Sequence, residues 1–269
     1  VFKLILMRKK IRLFKKFNFF SIRVLFSSLI EYLQNLLSIK KIKFKGKEIK
    51  FYVSSEMSLV RAELFGKKEK EVYEFIETYL SNDDIFFDIG ANVGVFSIYS
   101  SIFKNAKCIA FEPEFSNLYL LKKNIILNNL TTKIDIYPCS INNQNGLNFL
   151  HLSSFESGSA LHSVSKDNLE FTDEKAKVLM KTGTYNLTID EFINQTQVIP
   201  KMLKIDTDGK ELEILKGAQK SLEHIKYIAL EMPIISDKEK KCFQILEQNN
   251  FERIESLEKD RNFFFKKKI

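Results

Sequence analysis

The sequence predicts an α/β fold, built on one doubly wound and mostly parallel sheet with an antiparallel edge. Short apolar runs alternate with segments of helical periodicity through most of the 269 residues, as in proteins whose parallel strands are joined by crossover helices. A glycine turn follows the apolar run IFFDI (85–89), where such a fold has its first strand-to-helix connection. Two strand-like runs around Lys259-Asp260 predict a terminal hairpin, which would supply the antiparallel edge.

The elements of the first half follow from periodicity and turn residues. Alternating apolar residues around Gly46 predict a β-hairpin. Residues 69–81 have helical spacing and lead into the strand at 85–89. The next predicted elements are, in order, a helix from about Val93 to Phe103, a strand at 107–112, a helix at 116–129 and a strand at 133–139.

The second half continues the alternation after an irregular segment. Residues 147–154 predict a strand, with an antiparallel orientation as one option, whereas 155–183 lack periodicity and predict a loop or lid. A buried strand ending in acids follows at 201–209, and Gly217 in the next helix indicates close packing or an early helix end. The last predicted elements are a strand at 227–232 stopped by Pro233, a helix at 237–250 and the hairpin at 251–267.

Charge is distributed unevenly along the chain. The net charge is +8, but residues 1–50 carry 14 Lys and Arg against 2 Glu, and the remaining residues carry 28 basic against 32 acidic side chains. A body that binds nucleic acid through its own surface should be basic, so we expect no nucleic-acid partner. The sequence therefore divides into a basic amphipathic arm (1–50) and a slightly acidic domain (51–269).

The arm predicts a one-sided helix, because Leu and Phe side chains recur at helical spacing between Leu25 and Leu37. Its charge-free apolar runs are far shorter than the about 20 residues of a membrane span, and no signal-peptide cleavage site is visible. Such a helix can pack on the domain with solvated lysines. The alternative is peripheral contact of residues 1–37 with an anionic membrane, so we expect a cytoplasmic protein, with the inner membrane face as the second location.

The three cysteines are odd in number and widely spaced: Cys108, Cys139 and Cys242. Without CxxC spacing they predict reduced, buried thiols, as is typical of a cytosolic protein. They predict neither a disulfide framework nor a metal site.

The turn after the first buried strand reads Asp-Ile-Gly-Ala-Asn-Val-Gly (88–94). Gly90 allows a sharp backbone turn, and Gly94 allows a ligand or strand to approach the helix start closely. A dinucleotide fingerprint beginning at Gly90 would need glycine at Asn92 and Val95, and no GKS or GKT of a P-loop is present. The turn therefore predicts the floor of a ligand crevice that is not a pyrophosphate cradle.

Glu112 follows the second strand of the sheet, 22 residues after Gly90. An acid at that place can accept hydrogen bonds from both hydroxyls of a ribose. Pro113 then turns the chain, Asp88 supplies a second carboxylate, and no basic residue lies between 85 and 103. This combination suits a cationic nucleoside such as S-adenosylmethionine (SAM) better than a phosphorylated one. The alternative is that both acids are solvated strand ends of a protein without a ligand.

Four sequence blocks resemble, in this order, the motifs of the FkbM family of SAM-dependent methyltransferases: FFDIGANVGVFS, AFEPEFSNLYLLKKNIILNN, LTIDEF and LKIDTDGKELEILKGA. The resemblance spans about residues 60–235 and does not cover the first 50. It implies a class I methyltransferase fold, a Rossmann-like sheet of seven strands with an antiparallel last strand. It also implies methyl transfer to oxygen, commonly to a hydroxyl of a sugar or a natural-product scaffold.

The resemblance also implies roles for individual residues. It makes Glu112 the ribose acid, and it places four residues in the SAM loop: Asp88, Gly90, Asn92 and Gly94. In the following helix, where a structural role is the alternative, it matches three asparagines: Asn117, Asn124 and Asn128. One departure concerns the fourth block, which usually reads IDVEG in the family, whereas Asp208 stands here in place of the glutamate. Its side chain is one methylene shorter, so the role of that acid does not carry over directly.

Methyl transfer to a hydroxyl requires that the reactants are positioned and that the hydroxyl proton is removed. Asp206 ends the fourth predicted strand of the sheet, and we expect it to act as the base or to position the acceptor, with Asp208 and Glu231 behind it. Its alternative role is to cap the helix that starts at Gly209. The histidines are more typical of packed or exposed positions, and no cluster of histidines and acids predicts a metal.

Two other classes of protein stay open on the sequence alone. A nucleic-acid methyltransferase could hold phosphate with the basic arm, although DPPY-type motifs are absent and the body is acidic. A non-catalytic Rossmann-like scaffold would bind no SAM. The preferred acceptor is a sugar or glycan hydroxyl in polysaccharide biosynthesis, but no residue of 155–183 identifies it further.

Overall fold

The computed structural model describes residues 19–160, 163–164, 178–232 and 237–268. Its helices are α1 (Phe19–Leu37), α2 (Glu56–Glu63), α3 (Lys70–Tyr79), α4 (Val95–Phe103), α5 (Phe115–Leu127), α6 (Ile189–Thr196), α7 (Glu211–Lys216) and α8 (Asp237–Gln248). Its strands are β1 (Ile39–Phe44), β2 (Lys47–Tyr52), β3 (Ile85–Ile89), β4 (Lys107–Phe111), β5 (Ile134–Tyr137), β6 (Ser140–Ile141), β7 (Gly146–Leu152), β8 (Ser163–Val164), β9 (Met180–Leu187), β10 (Met202–Ile205), β11 (Tyr227–Glu231), β12 (Phe251–Arg253) and β13 (Asn262–Lys267). Pro233, the predicted end of a strand, lies outside the described residues.

The chain divides into two compact units, residues 1–39 and 40–269. The first contains α1, which confirms the helix predicted between Leu25 and Leu37. The sequence placed the boundary after residue 50, but β2 belongs with the later residues, because Ile49 and Phe51 are fully buried in their core. Within the described part of the chain, no helix combines the length and the apolar character that a membrane crossing requires.

A seven-stranded sheet forms the centre of the second unit, in the order β12-β13-β11-β10-β3-β4-β5. Neighbouring strands from β11 to β5 are parallel, and β13 runs antiparallel to β11. The fold predicted from the sequence, a Rossmann-like class I methyltransferase sheet with an antiparallel last strand, is confirmed. The strand order reverses between β3 and β10, and the carboxyl ends of these strands are therefore the expected ligand site.

The sheet is covered on both faces. Successive residues of a strand belong to opposite cores, because their side chains alternate between the two faces. Phe86 and Ala110 belong to the core on one face, together with residues of α3 and α4. Phe87 and Phe111 belong to the core on the other face, together with residues of α6, α7 and α8. This double burial explains why the strands read as continuous apolar runs.

A second sheet of four strands, β6-β9-β7-β8, was only partly predicted. Strand β7 pairs antiparallel with β9 from Gly146↔Asn186 to Leu152↔Met180. The predicted loop at 155–183 was therefore wrong for residues 163–164 and 180–183, and its residues 161–162 and 165–177 lie outside the described part. The reason is that β9 (MKTGTYNL) is largely exposed and carries few apolar side chains, so no hydrophobic alternation marks it.

Gly217 ends α7, and it also packs closely against another segment. A Cβ atom at residue 217 would lie 2.3 Å from the carbonyl oxygen of Asn142. The backbone N–H of Gly217 donates to the carbonyl oxygens of Glu213 and Ile214 at the helix end. Both sequence interpretations of this glycine are therefore correct.

Candidate active site

A cavity of about 370 Å³ opens at the carboxyl ends of β3, β4, β10 and β11. This is the point at which the strand order reverses. Seven of the nine residues predicted for catalysis or cofactor binding line it: Gly90, Asn92, Glu112, Pro113, Asp206, Asp208 and Glu231. Of the described residues predicted for the site, Asp88 and Gly94 do not line it.

The turn between β3 and α4 is built from left-handed backbone conformations. Gly90 has φ +77°, Asn92 has φ +51° and Gly94 has φ +86°. The N–H groups of Gly90 and Ala91 both donate to the carbonyl oxygen of Phe111 at 3.0 Å, so the turn is attached to the end of β4. This attachment keeps the turn backbone beside the cavity.

Gly94 has a different role from the one expected. A Cβ atom at residue 94 would lie 2.4 Å from Leu121 Cδ1, so this glycine makes room for α5, and it does not line the cavity. It also precedes α4, which starts at Val95, two residues later than predicted. The sequence left a ligand or a strand as what Gly94 lets approach, and the structure has helix α5 at that place instead.

Glu112 is buried at the end of β4 and faces the cavity. Its Oε2 accepts the N–H of Asn92 at 2.8 Å, and its Oε1 accepts the N–H of Glu114 at 2.9 Å. Burial raises the pKa of Glu112 to about 7, although both N–H groups partly offset that effect. The carboxylate is thus fixed in place, next to the glycine turn, with oxygen lone pairs left for a ligand hydroxyl.

Asp88 lies beneath the turn and not in the cavity lining. The side chain is 1% exposed, and its Oδ2 accepts the hydroxyl proton of Ser97 at 2.6 Å. Because side chains alternate along β3, Asp88 points to the face that α4 covers, opposite to Phe87. The expectation that Asp88 offers a second carboxylate to the ligand is therefore corrected to a buried structural role.

Lys204 is the main residue that the sequence interpretation missed. It pairs with Asp88 in the β10–β3 register, and its Nζ lies 3.5 Å from Asp88 Oδ1 and 3.1 Å from Asp206 Oδ2. Burial disfavours the ammonium charge, but the carboxylates of Asp206 and Asp88 outweigh it and raise the pKa of Lys204. A lysine inside the apolar strand MLKI was the available signal, because a buried ammonium needs carboxylate partners.

Asp206 and Glu231 form a carboxyl pair with different proton affinities. The pKa of Asp206 lies below its usual value. Burial alone would raise this pKa, but the charge and hydrogen bond of Lys204, together with a hydrogen bond from Glu231, outweigh the effect of burial. Burial and the Asp206 charge raise the pKa of Glu231 to about 7, although Arg261 lies 2.5 Å away. At neutral pH Asp206 is therefore ionised, and Glu231 beside it is near the midpoint of its titration.

Asp206 does not cap the helix that follows it, which was its alternative role. Helix α7 begins at Glu211, and its N-cap residue, Lys210, makes no capping hydrogen bond through its side chain. The buried Glu211 carboxylate instead accepts the N–H groups of Thr207 and Gly209 and the Thr207 hydroxyl, each at 3.1 Å. Glu211, which was not predicted, therefore holds the loop after β10 in shape.

Asp208 sits in that loop with φ +54° and lines the cavity. A non-glycine residue rarely adopts this left-handed conformation, and Asp and Asn do so most readily. The side chain that stands in place of the family glutamate thus lies in the cavity lining together with Lys210 and Arg261.

The three asparagines of the second block fasten neighbouring segments to α5. Asn117 Oδ1 accepts the N–H of Gly158 at 2.7 Å. Asn124 accepts the N–H of Tyr52 at 2.6 Å and donates to the carbonyl oxygen of Val93 at 2.9 Å. The remaining one, Asn128, bonds both backbone groups of Lys50. These contacts support the structural alternative for Asn124 and Asn128.

The histidines are placed away from this chemistry as far as the structure describes them. His151 is buried in β7, outside the lining of the cavity, and His224 is exposed. His162 lies outside the described residues. In the described ranges no three His, Cys, Asp or Glu side chains are grouped as a metal site would require.

A family model described as "Methyltransferase FkbM domain" matches residues 88–265, which is more than half of the chain. Methyltransferase sdnD from Sordaria araneosa is 26% identical over 51% of this chain and 61% of sdnD. The chain thus spans less than two thirds of the length of that relative. Hexuronic acid methyltransferase AglP from Haloferax volcanii is 23% identical over 72% of this chain and 75% of AglP.

Solved structures give a weaker likeness. The crystal structure of a methyltransferase from Pyrococcus furiosus superposes with a TM-score of 0.43 at 13% identity. The superposition covers 79% of this chain and 97% of that structure.

Proposed function

Because the chain belongs to the FkbM methyltransferase family, we propose that it uses SAM to methylate a hydroxyl oxygen of a sugar or glycan. Family membership supports the reaction class. The observation that carries the proposal is the buried Glu112 carboxylate, which faces the cavity beside the Gly90 turn.

The cavity residues fit SAM in size and in chemistry. A volume of about 370 Å³ falls in the range of about 300–1,000 Å³ that is typical of small-molecule sites. Glu112 can accept hydrogen bonds from ribose hydroxyls, and the apolar lining from Phe111, Cys139 and Ile141 suits a purine ring. When bound, SAM supplies a methyl group on a positively charged sulfur, and carboxylates of the lining such as Asp206 and Glu112 can stabilise that charge.

A second part of the lining supports a sugar-like acceptor. Helix α2 and its C-cap residue contribute an apolar wall of Met57, Val60 and Leu64. Charged side chains such as Lys210 and Glu231 line the same cavity. A sugar ring has both an apolar C–H face and a rim of hydroxyls, so a cavity with mixed walls can hold it in one orientation. The relative AglP, whose name gives hexuronic acid as its substrate, supports the same acceptor class.

Asp206 is the residue that we assign to proton removal. If SAM supplied the methyl group, the Asp206 carboxylate would take the proton that the acceptor hydroxyl loses. Lys204, 3.1 Å away, keeps this carboxylate ionised before the transfer. Glu231 lies behind it with a pKa raised by burial to about 7, so it can share the proton.

Calorimetry with SAM and S-adenosylhomocysteine tests the cofactor assignment. The wild type should bind both, and Glu112→Gln should weaken binding about 10- to 100-fold, because hydrogen bonds to a charged group contribute about 1.5–3 kcal/mol. Glu247→Gln removes an exposed carboxylate of α8 and should leave affinity unchanged. If SAM in large excess produced no heat and no thermal shift, the enzyme assignment would be rejected.

Labelled SAM tests the acceptor assignment. Incubation with glucosides, glucuronides and extracted glycans should transfer label into a product with an alkali-stable methyl ether. Label found in RNA or DNA and in no carbohydrate would contradict a sugar acceptor.

A further inference from the structure

We propose that Arg61 binds a carboxylate group of a ligand inside the cavity. The inference rests on the proposed function, because the two ligands of methyl transfer are the sources of that carboxylate. SAM has one in its amino-acid tail, and an acidic sugar such as a hexuronic acid has another.

Arg61 is held at the cavity wall by the position of its helix and by a hydrogen bond of its side chain. Helix α2 starts with a reciprocal capping box between Ser55 and Ser58, which fixes the helix end. Met57 and Leu64 lie on the same face as Arg61, at helical spacing, and line the cavity with it. The Nε–H of Arg61 donates to the carbonyl oxygen of Gly158, so the stem of the side chain has one orientation.

Arg61 has no carboxylate partner among the described residues, whereas three other cations of the cavity each have one. Lys204 lies 3.1 Å from Asp206, Lys68 lies 2.6 Å from Glu69, and the third, Arg261, lies 2.5 Å from its carboxylate partner. Within the residues that the structure describes, Arg61 has no carboxylate within 4.0 Å, and Gly158 is its one hydrogen-bond acceptor. Lys210 also lines the cavity without an ion pair in the described part, but its ammonium is a point charge on a flexible stem.

A half-buried guanidinium with unused donors is a carboxylate site by its chemistry. Its planar N–H groups match the two oxygens of a carboxylate, and such charge-assisted pairs are about twice as strong as neutral hydrogen bonds. The charge of Arg61 already contributes to lowering the pKa of Asp206, so it lies near the reacting centre. A ligand carboxylate there would lie in the same cavity as the candidate base, and the positive charge of Arg61 would offset its repulsion from Asp206.

Binding measurements on Arg61→Gln identify the source of the carboxylate. The probes are S-adenosylhomocysteine and its decarboxylated analogue, which lacks the carboxylate and keeps the amine. If Arg61 holds the cofactor, the variant loses about tenfold or more in affinity for S-adenosylhomocysteine, and its affinity for the analogue stays unchanged. If Arg61 holds the acceptor, both affinities stay unchanged, and the KM for a glucuronide rises about tenfold while the KM for the matching glucoside does not.

Two further variants distinguish carboxylate binding from a structural effect. Lys68→Gln removes a cavity charge that is already paired with Glu69 and should reproduce neither loss. Arg61→Lys should recover part of the affinity for the carboxylate-bearing ligand. Equal losses for ligands with and without a carboxylate, an equal loss in Lys68→Gln, or no loss in Arg61→Gln would each overturn the proposal. Failure of the wild type to bind S-adenosylhomocysteine would instead refute the proposed function.

Discussion

The backbone of Gly90 lies directly against the backbone of Asp206. A Cβ atom at residue 90 would be only 1.8 Å from the Asp206 carbonyl oxygen. The N–H of Asp206 in turn donates to the carbonyl oxygen of Ile89 at 3.1 Å. The turn proposed to hold the cofactor and the acid proposed to remove the proton therefore belong to one continuous backbone arrangement.

Gly90→Ala tests this contact. The added methyl group should destabilise the protein by about 1–3 kcal/mol beyond the backbone cost of a left-handed alanine, because an overpacked site must shift its neighbours. Gly46→Ala is the matched control, since Gly46 has φ +76° against +77° and no atom within 4 Å of its Cβ position. Urea unfolding of both variants measures the difference, and equal losses would show that residue 90 has room.

The affinity for the cofactor should rise with pH up to about 7. Burial raises the pKa of Glu112 from 4.5 to about 7, so below that pH the folded protein holds a proton there. A ribose and a positive sulfur favour the ionised form, and binding must release that proton. Affinity should therefore fall by up to about tenfold per pH unit below 7, as measured by calorimetry with SAM.

Variants assign that pH dependence to one residue. Glu112→Gln should bind weakly and almost independently of pH. Glu231→Gln is the necessary comparison, because burial also raises the pKa of Glu231 to about 7 in the same cavity. If Glu231→Gln abolishes the dependence and Glu112→Gln preserves it, Glu112 is not the titrating group.

Lys204→Met should destabilise the protein strongly. It leaves Asp88, which is 1% exposed, and Asp206 without their common cation, and an uncompensated buried charge costs about 3–5 kcal/mol. Lys201→Met is the control, because its 2.7 Å pair with Asp84 is partly exposed and such pairs contribute about 1 kcal/mol or less. Guanidinium unfolding at pH 7 measures both, and similar small losses would mean that Lys204 does not neutralise these acids.

Asp206→Asn should impair catalysis and spare cofactor binding. Removing a general base lowers kcat by about 10²- to 10⁴-fold, while affinity for S-adenosylhomocysteine should change by less than about threefold, within 1 kcal/mol. Asp208→Asn is the matched variant, because asparagine also accepts the φ of +54° at that position. A larger loss of kcat in Asp208→Asn than in Asp206→Asn would move the base to the neighbouring acid.

Much of the fold could be predicted from the sequence because the central strands are buried on both faces. Five-residue apolar runs such as IFFDI and KCIAF have one strong interpretation, and the glycine turn between β3 and α4 marks the first crossover. The antiparallel last strand was expected from the hairpin pattern and the family resemblance. The exposed strand β9 lacked any such signal, since its pairing with β7 and β6 is what makes it a strand.

The site was predicted less completely, because burial and strand register determine which side chains reach the cavity. Glu112 and Asp206 directly follow their strands and face it, whereas Asp88 lies within β3, one residue before its end, and points into the layer beneath. Lys204 could not be connected with Asp88 without knowing that β10 lies beside β3. Contact of residues 1–37 with a membrane stays a prediction, and residues 1–18 lie outside the described part of the chain.

The asparagines of α5 have a consequence for how this protein can tolerate change. Asn117 and Asn124 are seven residues apart and therefore share one side of the helix, since each residue turns it by about 100°. From that side they fasten Gly158 and the Val93 carbonyl. Inserting one residue between them would rotate one asparagine away and release a segment bordering the cavity, although no residue that touches a ligand had been replaced. Homologous chains should therefore vary in length in the loops on either side of this helix and keep the distance between its two asparagines constant.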